Sequence, residues 1–105
     1  MNKIVIAAFG AMIAAGGAQA GDAHVGQEKS KTCAACHGAD GNSPSPDFPR
    51  LAGQHEDYLL RALMDYKAGN RKNPIMAGQV ANLTKEDFID LAAYFASQKG
   101  VYDKR

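Results

Sequence analysis

Cys33-Ala34-Ala35-Cys36-His37 brings two thiols and an imidazole together within five consecutive residues. Cysteines three apart lie on neighbouring positions of one helical turn. From there each thiol can add across one vinyl group of a single iron porphyrin and leave it in a thioether bond, and C-x-x-C-H is the sequence pattern of such covalent haem attachment. His37 follows directly and comes beneath the metal, one ring nitrogen on iron and the other free to donate to a backbone carbonyl that fixes the tautomer. Other readings fit less well. A structural zinc site wants four ligands, and the chain has two Cys and three His, with His24 and His55 poorly spaced. A thioredoxin-like dithiol wants a βαβ setting, and no strand-like alternation flanks the motif. A Cys33–Cys36 disulfide stays open as an alternative, although so small a loop would stabilise little.

The elements that position these groups begin after Ala20. Lys3, the apolar run Ile4 to Ile13 and the small-x-small triplet Ala18-Gln19-Ala20 predict a cleaved secretory signal over residues 1–20. The apolar stretch is too short for a membrane span, so no stable membrane insertion is expected once the signal is gone. Removing residues 1–20 from the 105 leaves 85, one domain over 21–105. Of 12 basic and 11 acidic side chains only Lys3 is lost, so 11 of each remain and the formal net charge is zero. Nothing in that balance favours nucleic acid or an anionic membrane. So short a chain has a small core of its own, and a buried cofactor would supply what it lacks.

Asp22 as N-cap predicts a short helix over 23–32 leading into the motif, with Gly26 marking a close helix crossing. Gly38 to Gln54 carries Pro44, Pro46 and Pro49 and has no regular period; a loop of this length in a small domain is expected to wrap something. Pro44 is the first choice for the carbonyl that accepts from His37, and Phe48 and Leu51 are candidates for packing on a porphyrin or in a small core. Over 56–68, Tyr58, Leu59, Ala62, Leu63 and Tyr66 share one helical face, ended by Gly69 and Asn70. The stretch 69–83 reads as irregular. It holds Met76, the second candidate ligand, whose thioether can approach the metal opposite His37 and raise its potential, or else is a buried loop side chain. Met64 reads as a gap-filler and His55 as a surface residue at a helix start. Thr84 with Asp87 predicts a capped helix to Gln98 with Phe88, Leu91, Ala92 and Phe95 on its apolar face. The flank bearing Tyr94 is expected to cross the first helix near Gly26.

The order of helix, C-x-x-C-H, proline-bearing loop, helix, Pro74-Ile75-Met76-Ala77-Gly78 and a last helix with Leu91-Ala92-Ala93-Tyr94-Phe95 resembles the bacterial class I cytochromes c, single-haem carriers similar to each half of the dihaem cytochromes c. The resemblance covers essentially all of residues 21–105. It implies an all-α fold of three main helices and irregular loops around one haem c, with Cys33 and Cys36 as thioethers and His37 and Met76 as axial ligands. It implies electron transport rather than catalysis. The expected site is periplasmic, and the expected partners are redox proteins of a respiratory chain: a quinol-cytochrome c reductase-type donor and a terminal oxidase or reductase as acceptor. They would meet the haem edge near Ala34, Ala35 and Ala77. An electron-transfer subunit of a larger oxidoreductase is the alternative, and a gas-binding sensor a further one. Without tryptophan or a lysine ring, Arg50, Gln54, Tyr58 and Arg61 are the candidates for holding the haem carboxylates.

Overall fold

The computed structural model describes residues 21–100, so the expected signal at 1–20 lies outside the described residues. Within them five helices follow in order: α1 (Ala23–Lys29), α2 (Lys31–His37), α3 (Glu56–Ala68), α4 (Pro74–Val80) and α5 (Lys85–Ser97), with no strand among the described residues. The all-α class is as read from the sequence, but the helix count differs in two places. The expected first helix breaks at Ser30, whose buried hydroxyl donates to the Gln27 carbonyl at 2.7 Å, so the attachment motif has its own helix, α2. The supposedly irregular stretch after Gly69 contains α4, capped by the Asn73 side chain, which accepts from the Ile75 and Met76 amides, with Pro74 in the first turn.

The frame is α5 held between α1 and α3. Its start is a capping box: Thr84 Oγ1 accepts from the Asp87 amide at 3.2 Å and Asp87 accepts from the Thr84 amide at 2.9 Å. The sequence predicts one apolar face; Phe88 and every residue from Asp90 to Ala96 are buried, because α1 covers one flank and α3 the other. Across the α1 contact Gly26 is buried, and a Cβ there would overlap the Asp90 carbonyl and come within 2.8 Å of Tyr94 Cβ. The expected crossing is present, with Tyr94 buried in it.

A polar clasp closes the same crossing. Lys29 Nζ lies 2.7 Å from Asp87 and 2.8 Å from Asp90, and the Asp22 amide donates to Asp90 at 2.9 Å. The Lys29 hydrogen bond is the main reason both carboxyls sit below the usual carboxylate range. Carboxyls lowered on folding stabilise the fold above their ordinary range and stop doing so as the pH falls through the depressed values. Lys29→Met should therefore lower Tm by about 5 °C at pH 7, a difference that fades as the pH falls below the ordinary carboxylate range. Thermal scans across that range read the effect; an equal loss at every pH would mean the clasp acts by packing alone.

Between α2 and α3 the long loop is anchored to α5 rather than to itself alone. Gly41, at φ +86°, accepts from the Leu51 and Ala52 amides at 2.8 and 3.1 Å, and a side chain there would press on Phe95. The Gly53 amide donates to the Phe95 carbonyl at 2.9 Å, and the Tyr94 hydroxyl donates to the Ala39 carbonyl at 2.8 Å. The loop thus arches back over α2 and is fixed at both ends of the arch.

Candidate haem site

Under that arch His37 is buried at the C-terminal end of α2. Its Nδ1 lies 2.8 Å from the Pro49 carbonyl oxygen. A carbonyl only accepts, so the proton of the neutral ring is on Nδ1 and Nε2 keeps an available lone pair. The Phe48 ring meets the imidazole edge to face, 6.3 Å between centroids. The expected acceptor, Pro44, is exposed and is not the partner; Pro49 is. Both prolines present a carbonyl on a fixed backbone, and the closure of the loop at Gly41 decides which one reaches the ring.

A cavity of about 310 Å³ opens beside His37, at the lower end of the volumes of small-molecule sites, about 300–1,000 Å³. Cys33, Cys36 and His37 line it from α2, Phe48, Pro49 and Leu51 from the loop, and Tyr58, Leu59, Ala62, Leu63 and Tyr66 from α3. Helix α4 contributes Ile75, Met76, Gln79 and Val80, and α5 closes the floor with Leu91 and Phe95. The helical face read on α3 is therefore a cavity wall. Met76 reaches the same cavity as His37, from a short helix instead of an irregular loop, whereas Met64 does not line it and is 37% exposed. His24 and His55 are exposed and lie off the cavity.

The donor set fits a covalently held haem. Two free thiols, an imidazole nitrogen with its lone pair available and a thioether sulfur stand on the wall of one mainly apolar chamber. Burial pushes the Cys33 thiol above its ordinary range, which holds back oxidation to a disulfide because that reaction runs through the thiolate. Among the described residues no three His, Cys, Asp or Glu side chains converge on a common metal position, so a zinc site is not built here.

Of the proposed carboxylate holders, Arg50, Gln54 and Tyr58 line the cavity, and Arg61 does not: its side chain is 80% exposed and lies 3.8 Å from Asp65 across one turn of α3. The sequence reading missed Arg71 and Asn73, both on the wall. Asn73 was findable as a cap residue just before a proline. Arg71, one charge in a polar connection, carries no local signal.

Residues 18–99 match the family model described as Cytochrome c. The chain is 52% identical over 100 residues to cytochrome c4 of Pseudomonas aeruginosa, a match covering 94% of this chain and 50% of that protein. It is 42% identical over 83 residues to cytochrome c-554(548) of Halomonas halodenitrificans, covering 76% of this chain and 100% of the relative. The crystal structure of reduced recombinant cytochrome c4 from Pseudomonas stutzeri superposes with a TM-score of 0.75 at 53% identity, over 78% of this chain and 48% of that one. The chain thus spans about half the length of the cytochrome c4 relatives it matches.

Proposed function

We propose, from the premise that this chain belongs to the cytochrome c family, that it carries single electrons between redox proteins and performs no catalysis of its own. Membership brings covalently attached haem c, and we assign its attachment to Cys33 and Cys36 and its axial ligation to His37 and Met76. The observation that carries the assignment is the convergence of these four side chains on one cavity, with the His37 tautomer set by Pro49.

Haem supplies the redox couple, an iron that exchanges one electron between ferric and ferrous. The chain's residues do the rest. His37, held by Pro49, would offer its nitrogen in a fixed orientation, and the Met76 thioether, which lines the same cavity, would favour the ferrous state and so a higher potential. With His37 and Met76 both holding iron, small molecules would have no coordination site, and the group would serve a carrier rather than a sensor. Leu59, Leu63, Leu91 and Phe95 exclude water, so the surroundings rearrange little when the charge changes.

Electrons would enter and leave at the haem edge near the thioethers, and of the small residues expected at that edge Ala35 and Ala77 are exposed and Ala34 is partly so. Small side chains there let a partner approach closely over a small interface. No helix among the described residues is long and apolar enough to cross a membrane, and the compared relatives are bacterial. The periplasm, with a quinol-cytochrome c reductase-type donor and a terminal oxidase or reductase as acceptor, is the setting we propose, reached by cleavage after Ala20. N-terminal sequencing of the exported protein tests that cleavage.

The ligand assignment is tested by the far-red spectrum of the oxidised protein, where thioether sulfur on ferric haem gives a weak band. The band should be present, and Met76→Ala should abolish it, lower the potential and let the reduced protein bind carbon monoxide. A band that survives in Met76→Ala would remove Met76 from the iron.

A further inference from the structure

The cavity wall is mainly apolar, and the charged side chains on it are mostly cationic. Among the described residues the lining contains two arginines, Arg50 and Arg71, and a single carboxylate, Asp47. Arg71 is held by two contacts. Its guanidinium lies over the Tyr66 ring, 4.7 Å from the centroid, and its Nη1 is 3.4 Å from the Tyr58 hydroxyl. Both tyrosines belong to the α3 wall. Among the described residues no carboxylate forms an ion pair with that guanidinium; Asp65, which lies 3.8 Å from Arg61, acts on it only at longer range.

Haem is amphiphilic, an apolar macrocycle carrying two carboxylates on one edge. We infer that Arg71, stacked on Tyr66 and steered by Tyr58, is the cation that receives a haem carboxylate and so orients the group in the cavity. The inference rests on the proposal that haem fills this chamber. Arginine suits the task because its planar fork meets a carboxylate through two hydrogen bonds while its face stays on an aromatic ring.

The same residue reaches the second ligand. The Arg71 amide donates to the Asp65 carbonyl at 3.2 Å, and two residues later Asn73 caps α4, whose third residue is Met76. An anchored Arg71 fixes the start of α4, and with it the approach of the thioether. Arg71 is a positioning residue: it acts on iron through the carboxylate charge and through Met76.

The test is made on the purified holoprotein with Arg71→Gln, Arg71→Lys and Tyr58→Phe. Loss of the cation leaves a haem carboxylate uncompensated and stabilises the ferric form. Arg71→Gln should lower the equilibrium constant for reduction about fivefold at low ionic strength, close to 40 mV for one electron, and less in high salt because the site is exposed. Its potential should also become pH-dependent as that carboxylate gains a proton more readily, and imidazole should displace the far-red band at several-fold lower concentration. Arg71→Lys should restore most of the potential, and Tyr58→Phe should move it a smaller step in the same direction. A purely structural role would lower Tm without adding pH dependence and without rescue by lysine. Unchanged potential and pH profile in Arg71→Gln, with haem attached, would overturn this inference alone; parent protein that binds no haem would overturn the reading beneath it. If Arg71→Gln fails to fold, Tyr58→Phe and Arg71→Lys decide, and parental potentials at every pH and salt concentration in both would overturn it.

Discussion

His37→Ala should yield at least about tenfold less holoprotein than the parent, because metal sites lose 10–100-fold in affinity even when only a supporting partner of a ligand is removed. The variant loses more than a bond to iron. Buried His37 fills the space between Phe48 and the Pro49 carbonyl, and alanine leaves that carbonyl without its donor. Haem-stained yield from equal cultures measures the effect, with His24→Ala and His55→Ala as controls. Both control histidines lie off the cavity, so their yields should match the parent. If His55→Ala fell as far as His37→Ala, iron ligation would have to be reassigned.

Gly26→Ala should destabilise the protein by about 2 kcal/mol, a Tm loss of about 10 °C. The sign is informative. In an exposed helix interior the same change stabilises by about 1 kcal/mol, since alanine is the better helix former. Here the added methyl overlaps the Asp90 carbonyl, backbone that cannot swing aside as a side chain would, and Tyr94 stands behind it. Relief requires α1 to lift from α5, which would open the Lys29 clasp as well. Chemical denaturation of parent and variant decides the matter, and a stabilised variant would mean that the two helices do not cross at Gly26. Gly26→Val should be worse, leaving little folded protein.

What could be read along the chain was whatever has a local signature. The attachment motif carries its chemistry in its spacing, Thr84 and Asp87 announce the start of α5, and the apolar arc of α3 predicts the wall that the cavity displays. Gly26 was legible because a glycine inside a helix has few other uses. Helix α4 was missed because seven residues make only two turns, too few to display a period, and its signal lay instead in Asn73-Pro74, a cap followed by a first-turn proline. Pro49 could not be told from Pro44 by type. The choice depends on how the loop folds back on Gly41, a contact with no local trace. Arg61 and Arg71 show the same limit from the other side. Both are arginines near the α3 wall, yet one faces water and the other the cavity, and three-dimensional placement alone separates them.

The dependence of the loop on α5 bears on the order of assembly. Gly53 is tied to Phe95 and Ala39 to Tyr94, so the arch over α2 borrows its anchors from the last helix of the described chain. Helix α1 and its cap lie against that helix too, through contacts 61 and 68 positions apart in sequence. Contacts so far apart in sequence are slow to form, because loop closure must come first. A chain delivered N-terminus first therefore presents Cys33 and Cys36 on an unroofed segment until α5 has followed. On the proposed attachment, that interval would leave both thiols open to haem, and docking of α5 would end it.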